Sequence, residues 1–280
     1  MPERSDAPPL DAWLDAVTGS HQRLVTVVAG LTPEEVVGPS YDDEWSVAQV
    51  LSHLGSGGDI FSLFLRAGLG QAAAPGIDEF KPVWEEWDAK TPDRQAADAL
   101  VSDRAFLDQL DALDEHQRES WELSMFGTDR TLNDLLQLRL SEHALHSWDV
   151  AVTRDDQATL APDAVALLVD TLPDLVARLG RTSEEPIRTD IVTHQPDRRF
   201  RLLADPERSE LRAVADGSAV RTTGSSSCRP RASCGWSTVA SIPTTHRDRC
   251  RPAPILTSCA GSFPDSEPPV TVRNARATTR

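Results

Sequence analysis

Apolar positions divide the first part of the chain into helical segments. Leu10, Trp13, Leu14, Val17, Leu24, Val28 and Leu31 fall on one side of a helical wheel, which predicts an amphipathic helix from Leu10 to Leu31. Thr32-Pro33-Glu34-Glu35 restarts a short helix, with Thr32 as N-cap, Pro33 in the first turn and Glu35 closing a capping box, and Gly38-Pro39 ends it. Ser46 and Gln49 form a second box, with Trp45 placed to staple onto Val50. The helix they start runs on through Leu51, Leu54, Ile60, Phe61, Phe64 and Leu65. Residues 70–90 read as a loop with a short turn around the packing anchors Trp84 and Trp87. Thr91-Pro92-Asp93 opens a long helix to about Leu123, whose charge run Asp108 to Glu119 is a solvated face, and Gly127 breaks it. From Thr131 to Val150, Leu132, Leu135, Leu136, Leu138 and Leu145 again recur mostly at threes and fours. Leu160 to Leu179 is one more helix, bent or interrupted at Pro173.

After Arg181 the period changes. Ile187 to Val192 and Phe200 to Leu203 read as strands, and Leu211 to Val220 as a hairpin turning at Asp216-Gly217. The expectation is a mainly α protein: a helical bundle over residues 1–181, then a truncated small α/β domain over 187–220. From about Thr222 periodicity vanishes, and Arg, Pro, Ser, Thr and Cys dominate, so residues 221–280 are expected to be a disordered tail. That tail also reads as frameshifted. Moved back by one base, the codons implied by Gly235 to His246 are compatible with a segment containing Val-Tyr-Gly-Arg, and those of Ala253 to Phe263 with a helical pattern.

Composition narrows the function. The net charge is −16, with Asp+Glu 44 against Lys+Arg 28. The tail carries nine Arg against three acids, which leaves −22 on the first 220 residues. Such a body argues against nucleic acid or an anionic membrane surface as partner. No apolar run approaches the roughly 18–20 residues needed to span a bilayer, and the N-terminus has no apolar signal core. A soluble, cytoplasmic monomer is expected. All four cysteines, Cys228, Cys234, Cys250 and Cys259, lie in the tail. The body therefore has no cysteine metal site, and any thiol chemistry there uses a thiol brought from outside.

The candidate chemistry lies in the helix from Thr131 to Val150. Glu142 and His146 are four apart, so their side chains share one face, and Asp149 continues the stripe. A carboxylate on a leucine-rich face is costly to bury unless something positive holds it, and a metal ion is the simplest such partner. His53, on the side of Val50 and Ile60 in the earlier helix, is a further candidate. The plain alternatives stand beside this. Glu–His pairs at this spacing also occur on solvated faces, and a lone histidine on an apolar face is ordinarily a hydrogen-bonded core residue. His143 points to a different face and reads as a surface residue.

The segments WSVAQVLSHL around His53 and RLSEHALHSWDV around Glu142 and His146 together resemble the mycothiol-dependent maleylpyruvate isomerase family, within the DinB-like metal-binding four-helix bundles. The resemblance covers about residues 10–220. It implies that His53, Glu142 and His146 bind zinc, with a fourth position left open. It places Asp149 where it would orient the His146 ring. It also implies mycothiol as the low-molecular-weight thiol and a small electrophile as substrate. The thiolate adds to a cis double bond, allows rotation and leaves, giving the trans isomer. The resemblance assigns no further catalytic residue here. The sequence departs from the family in lacking the Val-Tyr-Gly-Arg segment of its second domain, which puts turnover in doubt. Two other readings stay open: a non-catalytic metal-binding bundle or degenerate relative, and a plain helical protein in which the three side chains never meet.

Overall fold

In a computed structural model of the chain, residues 8–41, 44–125, 127–214 and 225–228 are described, and they are mainly helical. Helix α1 (Leu10–Ala29) leads to the short α2 (Pro33–Val37), which begins at the Thr32/Glu35 capping box. Helix α3 (Val47–Gly68) begins at the Ser46/Gln49 box, where each side chain bonds the other's backbone N–H.

Residues 70–90, expected to be a loop, instead contain helix α4 (Ile77–Asp88) with Pro82 inside it. Phe80, Val83, Trp84 and Trp87 follow helical spacing, and their packing against the core outweighs the backbone bond that Pro82 forfeits. Helix α5 (Pro92–Asp111) is shorter than expected. Inside the charged run, Asp114 accepts from Gln117 N–H at 2.8 Å and caps a new helix, α6 (Glu115–Ser120). Leu123 then lies in a strand, β1 (Glu122–Met125), which turns at Gly127 (φ 75°) and pairs antiparallel with β2 (Thr128–Thr131). Leu123 and Met125 are buried while Glu122 and Ser124 are exposed, the alternation of a half-covered strand.

Thr131 caps helix α7 (Leu132–Ala151). Helix α1 packs on α7, α7 on α3, α3 on α5 and α5 back on α1, which closes a four-helix bundle. One apolar cluster joins Val17, Leu65, Phe106 and Leu136 across those four helices. A second gathers Leu24, Leu51, Trp87 and Val150 toward the other end.

The last helical stretch is interrupted near Pro173: α8 (Pro162–Leu168), a 3-10 turn (Val169–Thr171) and α9 (Leu172–Leu179). Helix α8 contacts α1 and α7, whereas Val169 and Val176 pack with Phe200, Leu202 and Leu211 of the sheet that follows. That sheet comprises β3 (Ile187–Thr193), β4 (Arg198–Ala204), β5 (Ser209–Ala213) and β6 (Ser225–Cys228), in the order β5-β4-β3-β6 with β6 parallel to β3. The turn at Asp216-Gly217 and the tail beyond Cys228 lie outside the described residues. No helix among the described residues is long and apolar enough to cross a membrane.

Candidate metal centre

Helices α3 and α7 bring His53, Glu142 and His146 together inside the bundle. One ligand atom from each lies within 4.8 Å of the others. His53 Nε2 is 3.1 Å from Glu142 Oε2, and His146 Nε2 is 3.9 Å from the same oxygen. Donors about 2.0–2.2 Å from a tetrahedral ion are about 3.4 Å apart, so these two separations bracket the edge of such a site. Two imidazoles and one carboxylate are also a donor set that binds divalent ions of the zinc type.

Around the triad, Asp149 Oδ2 accepts from His146 Nδ1–H at 2.9 Å. That bond leaves the lone pair of the ring on Nε2, which faces Glu142. The Trp45 ring lies over both imidazoles, 5.3 Å from His53 and 6.1 Å from His146. Trp45 thus walls the site besides packing beside Val50, a role that a staple position in the sequence does not reveal. The segment carrying Trp45 is tied to α7 by Tyr41 N–H, which donates to Asp149 O at 3.3 Å.

Burial raises the Glu142 carboxyl, but the His53 hydrogen bond and nearby positive charge outweigh it and hold the group below its ordinary range. Burial pushes the His53 imidazole down, more than Glu142 restores. At neutral pH the site therefore sets a carboxylate against a neutral imidazole, both only partly exposed.

A second cluster corrects the reading of His143. Its side chain is 0% exposed, because it points between Ser20 of α1 and Asp103 of α5 instead of into water. His143 Nε2 lies 2.9 Å from Asp103 Oδ2, and His21 Nδ1 lies 2.6 Å from the same oxygen. Arg139 Nη2 donates to Asp103 Oδ1 at 2.7 Å, and Ser20 Oγ meets His143 Nδ1 at 2.8 Å. Burial raises the Asp103 carboxyl, yet His143 and Arg139 hold it well below the carboxylate range. His21, Asp103 and His143 are close enough to hold an ion, but the Arg139 guanidinium already supplies the positive charge and the carboxylate oxygens are occupied by N–H donors. The Glu142 cluster has no such built-in cation in hydrogen-bond contact among the described residues. Asp103 was hidden in a charged helix. The available sequence signal was the stripe Arg139, His143 and Ser147, spaced four apart on a leucine-rich helix.

These features define a four-helix bundle with a histidine–carboxylate cluster between two of its helices. Residues 17–151 match the family model of the mycothiol maleylpyruvate isomerase N-terminal domain. Two solved structures share the fold: the crystal structure of the mycothiol-dependent maleylpyruvate isomerase, at 14% identity and TM-score 0.56, and that of a point mutant of it, at 13% and 0.56. Each covers 72% of this chain and 83% of the other. At such identity the likeness establishes the fold alone. No curated protein matches at a significant level.

Proposed function

We propose that this protein is a zinc- and mycothiol-dependent isomerase or thiol transferase acting on a small electrophile, in the manner of a maleylpyruvate isomerase. In this reading the bundle of residues 1–181 carries the chemistry, residues 187–220 flank it, and the protein works in the cytoplasm as a monomer. The observation that carries the proposal is the convergence of His53, Glu142 and His146 on one point, within a segment that matches this family's N-terminal domain model. His53 and His146 would present neutral nitrogens to the metal, Glu142 its charge, and Asp149 would hold the His146 ring in place. A divalent ion held there supplies an open position at which a low-molecular-weight thiol binds as thiolate. Trp45 would shelter that position from water. The body of the chain has no cysteine, which fits a thiol that arrives as a free molecule.

The test is direct. Purified protein supplied with zinc, mycothiol and maleylpyruvate should form fumarylpyruvate, and the rate should vanish when either zinc or mycothiol is withheld. Absence of product would remove the isomerase reading. The second reading, a non-catalytic metal-binding bundle, is favoured by the missing Val-Tyr-Gly-Arg segment. Stoichiometric zinc without thiol-dependent turnover of any electrophile would select it.

A further inference from the structure

We infer that the Asp103–Arg139 pair is a positioning device that sets the juxtaposition of His53 with Glu142 and His146. The inference takes its functional meaning from the proposed metal site, but its geometric content stands without a metal.

Asp103 of α5 is bonded to two other helices, through His21 of α1 and Arg139 of α7, and His143 Nε2 of α7 lies 2.9 Å away. Arg139 carries the connection to the fourth helix. The nitrogen that meets Asp103 Oδ1, Nη2, also donates to the backbone oxygen of Leu54 at 3.1 Å. Leu54 is the residue after His53, and Arg139 lies three positions before Glu142, so a single guanidinium ties α3 to α7 beside both halves of the site. The seat is close-fitting: a Cβ built on Gly57 of α3 would fall 2.7 Å from Arg139 Nη1. Arg139 and Asp103 are both 1% exposed, so solvent cannot replace either partner.

The directional character of these bonds is what suits them to the task. Apolar side chains in a helix interface allow sliding and rotation by fractions of an ångström, because their contacts have no angular preference. A guanidinium bonded at once to a carboxylate and a backbone carbonyl fixes both the rotation of α7 and its height along α3. Ligand atoms need placement to within about 0.5 Å, which apolar packing alone does not specify.

Two variants of the full chain separate positioning from plain stability. Arg139→Lys keeps the buried charge but shortens the side chain, which draws its nitrogen away from the point where Nη2 meets both acceptors. Gly57→Ala removes no polar group, suits a helix better than glycine, and pushes the guanidinium off its seat. Both are expected to fold with wild-type far-ultraviolet circular dichroism. In the metal-free proteins, the long-range proton–nitrogen imidazole signals of His53 and His146 should shift in both variants. Affinity for Co2+ should fall by about 10–100-fold, with a changed d–d spectrum. Val176→Ala, which thins the cluster beneath the sheet, should lower stability and leave these signals and the Co2+ affinity at wild-type values. Imidazole signals of folded Arg139→Lys and Gly57→Ala that superimpose on wild type would overturn the inference. A wild-type protein that binds no Co2+ would instead sink the metal reading, while the imidazole signals still decide on positioning.

Discussion

Replacing Asp149 by alanine isolates the proposed role of His146. The carboxylate is 14% exposed and 2.9 Å from His146 Nδ1. In the metal-free protein its removal deletes one hydrogen bond, at about 1 kcal/mol. The larger effect is expected with zinc present. Freed of its acceptor, the imidazole can rotate or switch tautomer, and loss of such an outer partner weakens metal binding by about 10–100-fold. That is about 1.4–2.7 kcal/mol of binding free energy. At a fixed excess of zinc, the stabilisation by bound metal falls by the same amount. For a folded unit of about 150–250 residues each kcal/mol moves Tm by about 2–4 °C, so the zinc-induced rise in Tm should shrink by about 3–11 °C. Asp149→Asn keeps an acceptor and should lose less. The assay is calorimetry of wild type and both variants, with zinc and with chelator. An equal zinc-induced shift in wild type and Asp149→Ala would refute the claim that Asp149 aims His146 at a metal.

The other predictions concern the ligands, the buried ion cluster and one tight helix contact. His53→Ala, His146→Ala and Glu142→Gln should each bring bound zinc well below one per chain by mass spectrometry, while exposed His194→Ala retains it; full occupancy in the first three would exclude them as ligands. Stability should fall on acidification for two reasons of the same sign. Burial depresses the His143 pKa, so below about 6.5 the unfolded chain takes up a proton that the folded one refuses. The Asp103 carboxyl is held low in the fold, so its contribution is present above about pH 3.9 and fades as pH falls through the folded value. Urea midpoints across pH should therefore decline toward acid, with a shallower slope below about pH 4 in Asp103→Asn; an unchanged slope would contradict the Asp103 assignment. Gly55→Ala would place its Cβ 2.1 Å from the Trp87 ring and should cost about 1–3 kcal/mol in urea unfolding. A cost under about 0.5 kcal/mol would mean that Trp87 has room to retreat.

Elements with local signals were the legible ones. The boxes at Thr32/Glu35 and Ser46/Gln49 are written in four consecutive residues each, and the structure contains both. Pro173 marks the break between α8 and α9 for an equally local reason. Helix α4 was obscured because Pro82 argues against a helix locally, while the packing of Phe80 and Trp87 that favours one is non-local. The end of α5 was hidden because Asp114 and Gln117 look like two more polar residues in a solvated run until their capping bonds are seen. The site residues His53, Glu142, His146 and Asp149 stood out because acids and imidazoles on an apolar face are conspicuous. The burial of His143 is not legible in the sequence because its partner, Asp103, lies on a distant helix. Arg139 and His143 lie on the inner side of α7, and only their pairing with Asp103 of α5 and Ser20 of α1 reveals that.

Since the inner side of α7 carries both the ligand cluster and the Asp103 network, it has little freedom to change in the course of divergence. Any residue exchanged on it must satisfy several neighbours at once. Trp45, half-buried on the short connection before α3, touches the site from outside the bundle helices. Relatives with altered preferences, and laboratory libraries seeking them, should therefore accumulate their differences around that connection while the central rod stays nearly invariant.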